Sequence, residues 1–105
     1  MPDSTSDNPG GDLQTDISKL RLAIDEFDEQ IMNLINRRLR LAEQIGDLKK
    51  EGGIRITDSG REKEIIDRLL QKNHGPLNDD GLRHIFAAII AEGRKEQKRI
   101  ENQND

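Results

Sequence analysis

Residues 16–50 decide the fold, and they read DISKLRLAIDEFDEQIMNLINRRLRLAEQIGDLKK, with one glycine and no proline. Apolar residues recur in this stretch at alternating steps of three and four, which is typical of one face of a long amphipathic helix. In a heptad frame, nine of the ten seam positions are apolar and the tenth is Arg38. The seam consists of Ile17, Leu20, Ile24, Phe27, Ile31, Leu34, Arg38, Leu41, Ile45 and Leu48.

The length of this helix predicts a second chain. A helix from Asp16 to Lys50 would be about 50 Å long at ~1.5 Å per residue. A compact globule of roughly 90 residues is only about 30 Å across. The apolar seam therefore needs another surface to pack against along its length. A second copy of the chain is the simplest source of that surface. The composition agrees, because a 105-residue chain that is 36% charged and 31% hydrophobic buries little apolar surface alone.

The rest of the chain predicts two shorter helices and a terminal tail. Residues 1–15 are a mixture of Ser, Asp, Gly and Pro, and we expect a disordered tail before a helical domain at 16–105. Thr15 or Asp16 can cap the first helix. No strand pattern occurs. The predicted fold class is therefore all-α, with one long and two shorter helices per chain in an intertwined homodimer.

Turn and cap residues set the predicted helix ends. The Gly52-Gly53 pair is expected to end the first helix. A second helix should open at Ser59, with capping-box spacing to Glu62, and close at residues 73–76. A third should start at Asn78 or Asp79 and continue past residue 100. Its apolar line reads Leu82, Ile85, Phe86, Ile89 and Ile90, then Gly93, Gln97 and Ile100.

Composition excludes several classes of function. The chain has no cysteine, which rules out disulfides, thiolate metal sites and cysteine nucleophiles. No apolar run approaches the ~20 residues that span a bilayer, and residues 1–15 lack the apolar stretch of a signal peptide. A net charge of −4, without a basic block or aromatic platform, argues against nucleic acid. We expect a cytoplasmic protein that binds neither membrane nor nucleic acid.

Polar residues interrupt the apolar lines where a plain dimerisation helix would have none. Arg38 and Lys49 fall on one helical stripe, about 16 Å apart along the axis, and flexible side chains could converge on one anion between them. Gly93 and Gln97 interrupt the third helix in the same way. Each residue also has a structural interpretation. Arg38 would be a registry-setting core residue paired with a Glu, and Lys49 and Gln97 would be solvated.

The ordered set of residues resembles the all-α chorismate mutases, the AroQ type. The resemblance rests on Leu20-Arg21, Ile24-Asp25 and Asp28, then on Arg37-Arg38, Leu41-Ala42, Ile45-Gly46 and Lys49, and further on Asp58 to Glu62, Phe86 and Ile89-Ile90. It covers residues 16–100. It implies an isomerase of aromatic amino acid biosynthesis that converts chorismate to prephenate by a Claisen rearrangement, with no metal and no cofactor.

The resemblance also implies a role for each site residue. Arg38 would bind one substrate carboxylate through two hydrogen bonds. Lys49 and Gln97 would contact the ether oxygen that gains negative charge. Glu62, assisted by the backbone near Asp58, would accept from the ring hydroxyl, and Arg61 would support the pocket. Arg21 would bind the other carboxylate from the partner chain, since it lies 17 residues from Arg38, roughly 26 Å along one helix.

Gly93 is a departure from the family pattern, because family members often carry Ser there. A missing hydroxyl could weaken substrate binding or indicate that a partner, such as another shikimate-pathway enzyme, completes the site. Two alternatives remain open at this stage. One is an isochorismate-pyruvate lyase on the same scaffold, and the other is a non-catalytic helical dimer with a regulatory or docking role.

Overall fold

The computed structural model describes residues 9–54 and 59–103 of the chain. This part of the chain contains the helices α1 (Pro9–Gly52), α2 (Ser59–Lys72) and α3 (Asp79–Glu101) and no strand. The prediction of an all-α chain with one long helix and two shorter ones is confirmed. The described residues form two compact units, one up to residue 34 and one from residue 35 onward.

The first helix begins earlier than the sequence predicted. Its first residue is Pro9, so residues 9–15 are helical, and the predicted tail extends too far into the chain. Proline suits the first helical turn, because its fixed φ is already helical and its missing N–H would have had no partner there. Asp12 in the first turn interacts favourably with the helix dipole. Thr15 and Asp16 lie within α1 and do not cap it. Residues 1–8 lie outside the described part.

The glycine pair ends α1 as predicted. Gly53 has a φ of +66°, a left-handed conformation that glycine adopts without a Cβ penalty. The Gly53 N–H donates to the Lys50 carbonyl at 3.3 Å, and the Ile54 N–H donates to the Lys49 carbonyl at 2.8 Å. This pair of hydrogen bonds is a Schellman motif, which satisfies carbonyls that the helix end leaves without partners.

The third helix is capped at its start by Asn78, whose side-chain oxygen accepts from the Gly81 N–H at 2.7 Å. Its inner face carries most of the predicted apolar line. Leu82, Ile90, Gly93 and Ile100 are buried, whereas Ile85 of the same apolar line is exposed. Within residues 35–105, the buried apolar side chains are Ala42, Ile65, Leu82, Ile90 and Ile100.

α1 packs on α3 through a stripe of small residues, not through the heptad seam. Ala42 and Gly46 are buried, whereas Leu41 and Leu48 of the seam are 59% and 66% exposed. A Cβ built on Gly46 would lie 3.1 Å from the Gln97 Cα. The absence of a side chain at Gly46 therefore sets how closely the two helices approach.

Residues 9–34 contain one segment of α1, and its large apolar side chains are exposed. Over the described residues, no helix is both long and apolar enough to cross a membrane. The exposed apolar residues of this segment are Leu13, Ile17, Leu20, Leu22, Ile24, Phe27, Ile31, Met32 and Leu34.

The glycine contact gives a stability prediction. Gly46→Ala should destabilise the protein by about 1–3 kcal/mol, because the added methyl meets the Gln97 backbone, which cannot turn aside as a flexible side chain would. Gly52→Ala is the matched control, since a Cβ there contacts only the Ile54 side chain at 3.4 Å. Chemical denaturation of both variants measures the difference. A Gly46→Ala protein as stable as Gly52→Ala would contradict the close approach.

Candidate active site

A cavity of about 380 Å³ lies between α1, α2 and α3 within residues 35–105. Six of the residues predicted for the site line it, and they come from all three helices. They are Arg38 and Lys49 of α1, Arg61 and Glu62 of α2, and Gly93 and Gln97 of α3. The cavity is also lined by Arg94 and by the apolar residues Leu41, Ala42, Ile45, Ile65 and Ile90.

Lys49 and Gln97 meet inside this cavity although 48 residues separate them in the sequence. The Lys49 Nζ donates to the Gln97 Oε1 at 3.5 Å, and both side chains are partly buried. Gly46 lies one turn before Lys49 and contacts the Gln97 backbone, so the packing of α1 on α3 brings the two groups together. The ammonium and the carboxamide can therefore contact one small ligand.

Arg38 is a partly buried cation that makes no ion pair with any residue in 9–54 or 59–103. Burial, and secondarily the positive charge of Arg61, lower the pKa of Arg38 below its ordinary value. Both effects disfavour the charged form in the empty cavity, and an anion would reverse them. Gly93 leaves room for this guanidinium, because a Cβ at that position would lie 3.2 Å from one terminal nitrogen.

Glu62 and Arg94 form an ion pair from α2 to α3, and each side chain is about one-third exposed at 33% and 34%. Both residues line the cavity. Arg94 was not among the residues predicted from the sequence. The sequence contained one signal for it. Arg94 lies three residues before Gln97, and residues three apart lie on neighbouring parts of a helix surface, so Arg94 could have been predicted to reach the same site.

The predicted site residues Arg61, Asp58 and Arg21 each have a different outcome in the structure. Arg61 lines the cavity but is largely exposed, and it forms an ion pair with Glu64 at 2.5 Å on its own helix. Asp58 lies outside the described residues. Arg21 is exposed on α1 in residues 9–34, and its predicted role at a partner's site stays a prediction.

The chain is similar in sequence to proteins of one known family. The family described as chorismate mutase type II matches residues 20–98. The chain is 37% identical over 92 residues to a chorismate mutase from Methanocaldococcus jannaschii, covering 84% of this chain and 92% of the relative. It is 34% identical over 89 residues to a bifunctional chorismate mutase/prephenate dehydratase from Aquifex aeolicus. That match covers 81% of this chain but spans only a quarter of the bifunctional relative's length, 25%.

Two solved structures share the fold. Chorismate mutase (form II) from Thermus thermophilus superposes with a TM-score of 0.77 at 32% identity, covering 79% of this chain and 94% of the other. Chorismate mutase from Helicobacter pylori in complex with prephenate superposes with a TM-score of 0.79 at 28% identity, covering 87% and 99%.

The isolation of Arg38 gives a prediction that does not depend on any reaction. Arg38→Met should raise the melting temperature by about 4–8 °C per kcal/mol gained, because it removes a desolvated and repelled charge. Sulfate should stabilise the wild type more than this variant. Arg40→Met, an exposed arginine on the same helix, is the control. A large loss of stability in Arg38→Met alone would identify Arg38 as a structural core residue instead.

Proposed function

The chain belongs to the chorismate mutase type II family, and we propose that it rearranges chorismate to prephenate in the cavity of residues 35–105. The observation that carries this proposal is the meeting of Lys49 and Gln97 beside Arg38 in one cavity. A Claisen rearrangement is unimolecular, so the protein has two tasks. It must hold a flexible dianion in the reactive shape, and it must stabilise the negative charge that grows on the breaking ether oxygen.

Lys49 and Gln97 are the groups that act on the ether oxygen. The ammonium of Lys49 places a positive charge where negative charge develops, and such preorganised donors contribute most in a site that excludes water. The terminal torsion of a glutamine side chain is soft, so the Gln97 carboxamide can turn its NH₂ group towards the same oxygen. The 3.5 Å separation between the Lys49 Nζ and the Gln97 Oε1 supports a shared target.

Arg38 binds one carboxylate of the substrate. A guanidinium can hold a carboxylate through two parallel hydrogen bonds, which fixes orientation as well as position. The substrate's charge would offset the desolvation and the repulsion from Arg61 that lower the pKa of Arg38. Part of the binding free energy therefore comes from the attraction between the substrate carboxylate and a guanidinium that burial and Arg61 disfavour.

Glu62 accepts a hydrogen bond from the ring hydroxyl at the α2 side of the cavity. Its carboxylate lines the cavity and is held by Arg94. Arg61 adds positive potential without needing to contact the substrate, and the backbone near Asp58 assists Glu62. These roles follow the family pattern position by position.

Arg21 serves the other site of an intertwined homodimer and binds the second carboxylate. Support comes from the exposed apolar side chains of residues 9–34, which include Leu20, Ile24 and Phe27. A continuous apolar stripe of this kind is costly in water and is typical of a helix that packs on a partner. We also propose that the enzyme works in the cytoplasm, where an activating shikimate-pathway enzyme could bind it.

A product assay with Lys49→Ala as its variant tests the reaction. The wild type should consume chorismate and yield prephenate, and Lys49→Ala should lose about 10²-fold or more in kcat, as when one oxyanion donor is deleted. Salicylate plus pyruvate from isochorismate would identify a lyase. No product from either substrate would favour the non-catalytic dimer. Wild-type turnover by Lys49→Ala would remove Lys49 from the mechanism.

Subunit mixing tests the shared site. Arg21→Ala and Lys49→Ala homodimers should both be nearly inactive. Unfolding and refolding them together in equal amounts should give mixed dimers in about half of the population, and each mixed dimer has one intact site. About a quarter of wild-type activity should return. If mass spectrometry detects mixed dimers but activity stays absent, Arg21 does not act across the dimer.

A further inference from the structure

The ion pair between Arg94 and Glu62 lies in the wall of the cavity, and both side chains are about one-third exposed. We infer, on the basis of the proposed function, that Arg94 is a positioning residue that holds the Glu62 carboxylate away from Arg38. Arg38 is then left available for the substrate's carboxylate, and Glu62 keeps one orientation towards the ring hydroxyl.

The argument begins with the charges that line the cavity. The described lining residues include four cations, Arg38, Lys49, Arg61 and Arg94, and a single carboxylate, Glu62. A carboxylate among several cations adopts the conformation with the most favourable electrostatic energy. A guanidinium is its best partner, because it offers two parallel N–H donors. A Glu62 side chain that turned to Arg38 would occupy the donors proposed to bind the substrate. Glu62 would then compete with the substrate dianion for Arg38.

Two adjacent residues of α3 prevent this outcome in different ways. Gly93 lies against Arg38, and its missing side chain leaves room for that guanidinium in the cavity. Arg94, the next residue, pairs with Glu62 on α2. The one carboxylate among the described lining residues is therefore paired with Arg94, and Arg38 makes no ion pair with any residue of the described chain.

A purely structural role is the competing explanation, because Arg94–Glu62 also ties α2 to α3. The chain contains a matched example of such a tie. Arg99 of α3 pairs with Glu43 of α1 at 3.2 Å and with Glu96, and none of these three residues lines the cavity. Arg99→Met therefore removes an interhelical ion pair of the same kind without changing the charge of the site.

Steady-state kinetics on single variants separates the explanations. Arg94→Met should raise KM for chorismate about tenfold and change kcat by less than about threefold, since lost ground-state binding appears in KM. Arg94→Lys should recover most of the loss, because an ammonium still holds the carboxylate. Arg99→Met should keep wild-type kinetics, and its melting temperature shows what removal of an ion pair costs in stability.

The decisive comparison is made in a Glu62→Gln background. A neutral carboxamide competes weakly for Arg38, so adding Arg94→Met to Glu62→Gln should change KM by less than about twofold. An equal rise in KM in both backgrounds would mean that Arg94 contacts the substrate directly, which overturns the inference. An unchanged KM in Arg94→Met, with a melting temperature lowered as in Arg99→Met, would show a structural tie only and also overturn it.

Calorimetric titration with prephenate separates this inference from the proposed function. Arg94→Met should weaken prephenate binding by the same factor that raises KM. A wild type that binds prephenate but does not convert chorismate would contradict the proposed function, and the positioning role would still be measured by binding. A wild type that neither converts chorismate nor binds prephenate would overturn both. Equal prephenate affinity in wild type and Arg94→Met would overturn the positioning role alone.

Discussion

The contact between α1 and α3 at Gly46 is the constraint on which the site depends. With no side chain at Gly46, the α1 backbone reaches the Gln97 Cα, where even a Cβ would lie at 3.1 Å. One turn further along α1, Lys49 reaches the Gln97 carboxamide. About one turn closer to the start of α3, Gly93 admits the Arg38 guanidinium in the same way. Two glycines on facing helices thus create both the close approach and the space that the polar groups occupy.

The charges in this cavity are arranged for a ligand more than for stability. Burial and the proximity of Arg61 disfavour the charge on Arg38 and lower its pKa, and holding this charge without an ion pair within the described residues is an electrostatic cost. Sites that bind anions commonly carry such a cost, because the ligand removes it on binding. Ion pairs at the edges of the unit, such as Arg99 with Glu96 and Glu43, lie in a more exposed setting and contribute modestly.

The apolar and small residues of α1 fall into two groups, one buried against the other helices and one exposed. Ala42 and Gly46 are buried against the other helices of residues 35–105, whereas the large apolar seam residues, among them Leu41, Ile45 and Leu48, stay at least 40% exposed. Small residues suit a close helix contact, and large ones suit a seam that must fill the space beside a partner. This division explains why so polar a chain can carry so many exposed leucines and isoleucines, and it supports the proposed homodimer.

The sequence by itself determined the helix count, the end of α1 at Gly52-Gly53, the start of α3 after its cap Asn78, and six residues of the cavity. The helix count and the helix ends follow from local physics, namely periodicity, capping and the left-handed conformation of Gly53. Arg38, Lys49, Gly93 and Gln97 were indicated by their positions on otherwise apolar helical lines, whereas Arg61 and Glu62 were indicated by the family resemblance. Only the tertiary structure decided which stripe of α1 packs on α3, and it also revealed Arg94 as the partner of Glu62. Both depend on contacts between residues far apart in the sequence, and such contacts are set by how whole helices pack, which no local pattern records.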